Sequence, residues 1–196
     1  MPEDAQLSDS DGVFLVKTAR TAVTEFLSNG KRIKLESESE KKFSFNAGVF
    51  VTLNNADGLR GCIGFPMPDK KLSHGIIDAA IAAATEDPRF SPVKINELNN
   101  IVFEVTVLTP PVEITVTDPM EYLEKIKVGR DGLIIRNSFS SGLLLPQVPV
   151  EYGWNVEEFL QHTCEKAGLE KDTWKNEKVK IEKFEGIVYK EKSNGN

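Results

Sequence analysis

The segment Leu59-Arg60-Gly61-Cys62-Ile63-Gly64 concentrates more potential chemistry than any other part of the chain. It holds a thiol, a guanidinium two positions before it, and two glycines. Side chains alternate along a strand, so Arg60 and Cys62 are expected on one face. An arginine so placed lowers a thiol pKa and can hold an anion. Gly61 and Gly64 would let a backbone or a ligand come close. Two functional readings follow: a thiolate nucleophile, Cys62, with Arg60 as anion holder, or a site gripping a carboxylate or phosphate. The structural reading stands beside them. Cysteine is among the most often buried residues and packs as a small hydrophobe, and glycines in strands often mark a bulge.

Other residues offer weaker signals. Glu104 interrupts the apolar run Ile101 to Leu108. A carboxylate buried in a strand is costly unless paired. It is expected to pair with Arg60 or Arg89, to act as a base, or to face outward from a half-exposed strand. Gln147, after Leu144-Leu145-Pro146, could read a ligand by hydrogen bonds or satisfy a loop. His162 and Cys164 resemble a metal pair. Two residues apart on a helix, however, they lie about 200° apart around the axis. With two histidines and two cysteines in the chain, no structural metal site is expected. Pro66 and Pro68 follow the glycine motif where a phosphate loop would need Gly-Lys-Ser/Thr. Trp154 and Trp174 are expected as core anchors.

The elements that position these residues can be read from periodicity. Ser8 or Ser10 caps a helix with apolar residues from Val13 to Leu27, ended by Asn29-Gly30. Lys31 to Lys42 reads as a solvated connection. Phe43 to Leu53 alternates as a strand, Asn54 to Gly58 turns, and Leu59 to Gly64 returns, which sets the motif on a hairpin. Leu72 to Glu86 is a helix with a small-residue face, stopped by Asp87-Pro88. Ile101 to Leu108 is a strand that Val112 to Val116 could continue. A short helix from Pro119 to Lys127 follows, and then strands at Gly132 to Arg136 and Gly142 to Leu145. Asn155 and Glu158 form a capping box for a helix whose inner face is Phe159, Leu160, Thr163 and Cys164. Lys178 to Tyr189 supplies the last strand. Frequent hairpins without strict alternation of strand and helix predict an α+β fold, mostly antiparallel sheet flanked by helices.

The 196 residues, 40% of them hydrophobic and 28% charged, suit one domain or two small lobes with a core. A net charge of −6 argues against a nonspecific nucleic-acid binder, which needs a basic face. The acidic N-terminus lacks a signal-peptide pattern, and no apolar run approaches the ~20 residues of a membrane span. A cytoplasmic location with reduced thiols is expected.

The motif at Leu59 to Gly64, followed by Asp87-Pro88-Arg89-Phe90-Ser91-Pro92 and Glu97-Leu98, resembles the AMMECR domain family. Gly132-Leu133, Leu145-Pro146-Gln147-Val148 and Gly153-Trp154 extend the likeness from about Phe43 to Tyr189. Leu143 to Val148 with Cys164 to Leu169 is similar to the prokaryotic branch. The resemblance implies one domain over 1–196, with two unequal, intertwined lobes, the larger using both chain ends. Arg60, Gly61, Cys62 and Gly64 match the signature motif, Asp87, Arg89 and Phe90 a second segment, and Pro146 and Gln147 a third. Arg89, Gly61, Gly64 and Gln147 are thus ligand-binding candidates. It also implies a Memo-like protein and a radical enzyme as partners in a modification pathway. The expected function is a ligand- or partner-binding domain in such a pathway. A thiol-dependent enzyme using Cys62, Arg60 and a proton-transferring Glu104 is the alternative, and an RNA-associated factor the third reading. The sequence names no cofactor.

Overall fold

A computed structural model describes residues 7–176 and 179–192. The chain forms two compact units. The larger runs to Leu108 and resumes at Ile187, so it uses both chain ends, and the smaller spans Thr109–Gly186.

In the larger unit, helix α1 spans Asp9–Asn29. The Ser8 hydroxyl accepts from the Asp11 N–H at 3.3 Å, and the Asp11 carboxylate accepts from the Ser8 N–H at 3.1 Å. Gly30 ends α1 with φ 71°, a left-handed position suited to glycine. The charged stretch after it is not only a connection. It contains a short exposed helix, α2 (Ser37–Lys42). Strands β1 (Val49–Asn55) and β2 (Gly58–Phe65) form the expected hairpin, closed by Ala56-Asp57.

The strand expected from Phe43 starts only at Val49. Phe43 is buried because its ring stacks on Phe14 at 5.3 Å, not because a strand alternates there. The carbonyls of Phe45 and Phe43 accept the N–H groups of Leu72 and Ser73. These belong to the first turn of helix α3 (Leu72–Thr85), whose leading N–H groups have no partner within the helix. The 43–48 segment thus serves as a backbone cap.

Strand β3 (Val102–Leu108) pairs with β1, and strand β7 (Lys180–Lys190) runs beside β3. Val49, Val51 and Leu53 share one parity with Phe103, Val105 and Val107, and all are buried. This face joins the core that α1 and α3 build. Ala79, Ala80, Ala83 and Ala84 on α3 let helix and sheet approach closely. Each fully buried Leu, Val or Ile contributes about 1.5–3 kcal/mol here. The other parity carries Phe50, Thr52, Glu104 and Thr106, all half-buried.

The smaller unit holds β4 (Val112–Glu113), a 3-10 turn running into α4 (Tyr122–Lys125), β5 (Asp131–Arg136) and β6 (Ser141–Leu144). Helices α5 (Gln147–Tyr152) and α6 (Val156–Lys166) follow. Strand β5 lies between β6 and β7, and β4 pairs with β7. All these pairings are antiparallel. The Asn155–Glu158 capping box forms, and Phe159, Leu160, Thr163 and Cys164 are all buried. Trp174 anchors this core at 1% exposure. Trp154 does not. It is half-buried, stacked between Tyr152 at 4.9 Å and His162 at 3.8 Å. Helix α5 replaces the loop expected around Gln147, because Pro146 and Pro149 fall at the N-cap and first turn, where no intrahelical N–H is needed. The last strand begins by Lys180, and its expected start at Lys178 lies outside the described residues.

Candidate functional site

Strand β2 stands at the end of the sheet order, so one of its backbone edges lacks a neighbouring strand. An open edge invites pairing with other chains. Here the loop after α3 closes it. The Asp87 carboxylate accepts from the Cys62 N–H at 2.8 Å, and Arg89 donates to the Cys62 carbonyl over a longer 3.4 Å. A carboxylate and a guanidinium take the places a neighbouring strand's C=O and N–H would fill.

Asp87 is itself held from four directions. Beyond the Cys62 N–H, it accepts from the Arg89 N–H at 3.1 Å, from Arg89 Nε at 3.0 Å and from a terminal Arg89 nitrogen at 2.7 Å. The Arg89 guanidinium, helped by the two backbone N–H groups, holds the Asp87 carboxyl far below the usual carboxylate range. Burial opposes this and is overcome.

Arg60 departs from the alternation expected of it. Leu53 pairs with Gly61 and Asn54 with Leu59, so Arg60 is the extra residue of a β-bulge. A bulge re-aims a side chain, and this one goes to the same loop. Nε donates to Glu97 at 2.9 Å, a second nitrogen donates to the other Glu97 oxygen at 3.2 Å, and the third donates to the Ser91 carbonyl at 2.9 Å. The Arg60 side chain is 12% exposed. Its bonds hold the loop to the strand, and Cys62 Sγ has a different neighbour.

The two glycines have steric causes. A Cβ on Gly61 would stand 2.2 Å from the Ala83 carbonyl oxygen of α3. A Cβ on Gly64 would stand 2.4 Å from the Phe50 ring and 2.5 Å from the Val49 carbonyl oxygen. Close approach explains both glycines, with the protein's own backbone and a ring as what approaches, and Gly61 also borders the bulge at Arg60.

Cys62 remains. It is a free, half-buried thiol opposite Thr52, with Sγ and Thr52 Oγ1 3.2 Å apart. Its N–H points outward to Asp87, so Thr52 and Cys62 form the closer, non-hydrogen-bonded type of cross-strand pair. Thr52 also pairs with Glu104 across β3. A row Cys62–Thr52–Glu104 therefore crosses three strands on the half-buried face. The expected pairing of Glu104 with Arg60 or Arg89 is not formed, because those arginines serve Glu97 and Asp87. Its carboxylate lies 4.0 Å from the Lys190 ammonium.

Arg60, Gly61, Cys62, Gly64, Arg89 and Glu104 all belong to the larger unit, whereas Gln147 is the exposed first residue of α5 in the smaller. His74 lies beside Glu40 at 3.4 Å, and His162 beside Glu165 at 2.8 Å. Among the described residues, no three His, Cys, Asp or Glu side chains gather as a metal site, and no helix is long and apolar enough to cross a membrane. Thr52 did not stand out in the sequence. Its signal was a hydroxyl at the polar parity of a strand. Asp87 and Glu97 lie in recognisable motifs, but the sequence gives them no role, since their partners lie 25 and 37 residues away.

Burial pushes the second thiol, Cys164, up to about 11. In native protein Cys62 should therefore alkylate well before Cys164, and denaturant should make the two equally reactive. Mass-spectrometric mapping of iodoacetamide labelling checks this. Equal native rates would contradict the burial of Cys164.

A largely antiparallel α+β fold of two unequal units, with a strapped hairpin edge displaying one thiol, defines the class of protein. The AMMECR1 family model matches residues 16–189, and the chain belongs to that family. It is 50% identical over 192 residues to protein PYRAB00100 of Pyrococcus abyssi, covering 95% of this chain and 93% of that one. It is 52% identical over 187 residues to protein MJ0810 of Methanocaldococcus jannaschii, covering 94% and 92%. The crystal structure of the uncharacterized protein PH0010 from Pyrococcus horikoshii matches with a TM-score of 0.79 at 50% identity, over 95% of this chain and 94% of that one.

Proposed function

We propose that this protein is a ligand- or partner-binding domain whose contact surface is the sheet face carrying Cys62, Thr52 and Glu104. One observation carries the reading. Every other singled-out member of the motif plays an architectural part. Arg60 straps the loop, Gly61 admits α3, and Gly64 admits Phe50. The Cys62 side chain alone is left to the polar, half-buried face. A domain that presents hydroxyl, thiol and carboxylate in one row can recognise a small polar molecule or a polypeptide by hydrogen bonds. A place beside a Memo-like protein and a radical enzyme in a modification pathway, in the cytoplasm, belongs to the same proposal.

A thiol-dependent enzyme is the second reading, favoured by the 3.2 Å contact of Sγ with Thr52. In it Cys62 would attack an electrophile, its proton passing by way of the Thr52 hydroxyl toward Glu104. Distance weighs against direct transfer. Cys62 and Glu104 sit two strand spacings apart, about 10 Å between backbones. Arg60, engaged by Glu97 and Ser91, is poorly placed to hold a substrate anion.

The test is a thermal-shift screen of small amines, amides and alcohols, which can donate hydrogen bonds to the Glu104 carboxylate, on the full chain. A compound that raises Tm in the wild type should do so equally in Cys62→Ser, and lose its effect in Glu104→Gln or after a bulky maleimide is placed on Cys62. If no compound acts, or Glu104→Gln and the maleimide change nothing, this face is not the binding surface. Rapid alkylation of Cys62 in a Cys164→Ser background, persisting well below the free-thiol range of about 8.5, would replace binding by the nucleophile reading.

A further inference from the structure

Away from the thiol row, the larger unit contains an open groove of about 760 Å³ between α1, the start of β3 and the residues that end β7. Its floor is apolar, formed by Val16, Ile101 and Val102, and Val13 stands on its rim 66% exposed. Three exposed lysines surround it: Lys17, Lys190 and Lys192. In a chain of net charge −6, this is a local concentration of positive charge.

The groove also has a fixed frame. Arg20 donates to both oxygens of Glu191, at 2.5 and 2.6 Å, and to the carbonyls of Leu98 at 3.0 Å and Ile101 at 2.6 Å. Its guanidinium lies over the Phe103 ring at 4.6 Å. Among the described residues, Glu191 is the one carboxylate in the lining. Its oxygens are taken by Arg20 and by the Phe103 N–H, so it does not neutralise the lysines. Lys17 and Lys192 have no ion-pair partner among the described residues, and the carboxylate near Lys190 is Glu104 at 4.0 Å.

We propose that this groove docks an acidic peptide segment of a partner protein, with apolar side chains on Val13, Val16 and Val102 and carboxylates on Lys17, Lys190 and Lys192. Charge complementarity selects an acidic partner, and the apolar floor selects one with apolar residues set between its carboxylates. A nucleic acid fits less well. Among the described residues no ring lines the groove for a base to stack on, and three lysines make a short phosphate track. The ordered Arg20–Glu191 frame lowers the ordering cost of binding.

The test is fluorescence anisotropy of the full chain with a short fluorescein-labelled peptide alternating glutamate and leucine, at low salt. Saturable binding that weakens with salt is expected. Lys17→Glu with Lys192→Glu should weaken it about tenfold or more, and Val13→Asp about fivefold. These positions are exposed, so the variants should melt like the wild type. Cys62→Ser should bind unchanged, which separates this groove from the thiol face. Lys34→Glu, an exposed lysine outside the groove lining, should also bind unchanged. The proposal is overturned if the peptide does not bind saturably, or if a glutamate–serine peptide binds equally well. It is also overturned if Lys34→Glu matches the double reversal, or if single-stranded RNA displaces the peptide at equal charge.

Discussion

Asp87→Ala should lower stability at neutral pH by about 2–4 kcal/mol, although it removes little apolar packing. The substitution leaves the Cys62 N–H without its acceptor and strips Arg89 of its partner. An orphaned buried donor costs about 1–3 kcal/mol, and a broken charge-assisted pair adds to that. Arg89 is half-exposed at 54%, which keeps the effect below that of a fully buried pair. Urea titrations of wild type and variant give the difference directly. Equal midpoints would mean that the carboxylate is not closing the strand edge. A second signature is kinetic. With the edge of β2 reopened, the variant should aggregate faster on partial unfolding.

The same carboxylate sets a pH dependence with a definite sign. Its folded pKa lies well below its unfolded value of about 3.9. Above that value it is ionised in both states, and its contribution to stability is fully present. As pH falls through about 4 toward the folded value, the unfolded chain takes up the proton first, and the contribution is lost. The gap between wild type and Asp87→Ala should therefore be constant near neutrality and close progressively in acid. A gap that widened in acid would contradict the assignment.

Gly61→Ala should cost about 3 kcal/mol, at or above the upper end of ordinary overpacking. The added carbon would meet the Ala83 carbonyl oxygen at 2.2 Å. A side chain could rotate away from it, but a backbone carbonyl within α3 cannot move without shifting the helix. Gly64→Ala meets the Phe50 ring as well, so Phe50→Ala should recover part of its loss, whereas truncating Ala83 to glycine should not rescue Gly61→Ala. Chemical denaturation of the two pairs separates these cases. A neutral Gly61→Ala would show that strand and helix are not in contact there. Because the clash is local to the motif, such a variant also measures how far the thiol face depends on the seating of β2 against α3.

Both predictions concern residues whose importance the sequence announced without saying why. The signals legible in the sequence are local. Asn155 and Glu158 close a capping box three residues apart, so a short window contains both partners. Gly30 carries positive φ where α1 must stop. The inner face of α6 follows from helical period alone. The hairpin around Ala56-Asp57 follows from turn residues between two alternating runs. These features depend on backbone sterics and on partners within one or two turns, which is why the α+β class and the place of the motif were legible.

What only the tertiary structure decided depends on partners far along the chain. The alternation rule set Arg60 beside Cys62, but a bulge in β2 turned it to Glu97, and no nearby residue could show that. Phe43 looked like a strand residue, yet it is held by Phe14 and lends its carbonyl to α3. Asp87 looked like a helix stop, and its carboxylate turned out to close the edge of a strand 25 residues earlier. Glu104 could have paired with an arginine, served as a base or faced outward from a half-exposed strand, and only the fold put it on the half-buried face in a row with Thr52 and Cys62. In each case the chain brought together groups whose spacing carries no information, because hydrogen bonds and close packing act through space. The sequence by itself determined which residues could do chemistry and the elements that carry most of them. The tertiary structure decided which of them were consumed in holding the sheet edge, and left one thiol facing the polar side of the sheet.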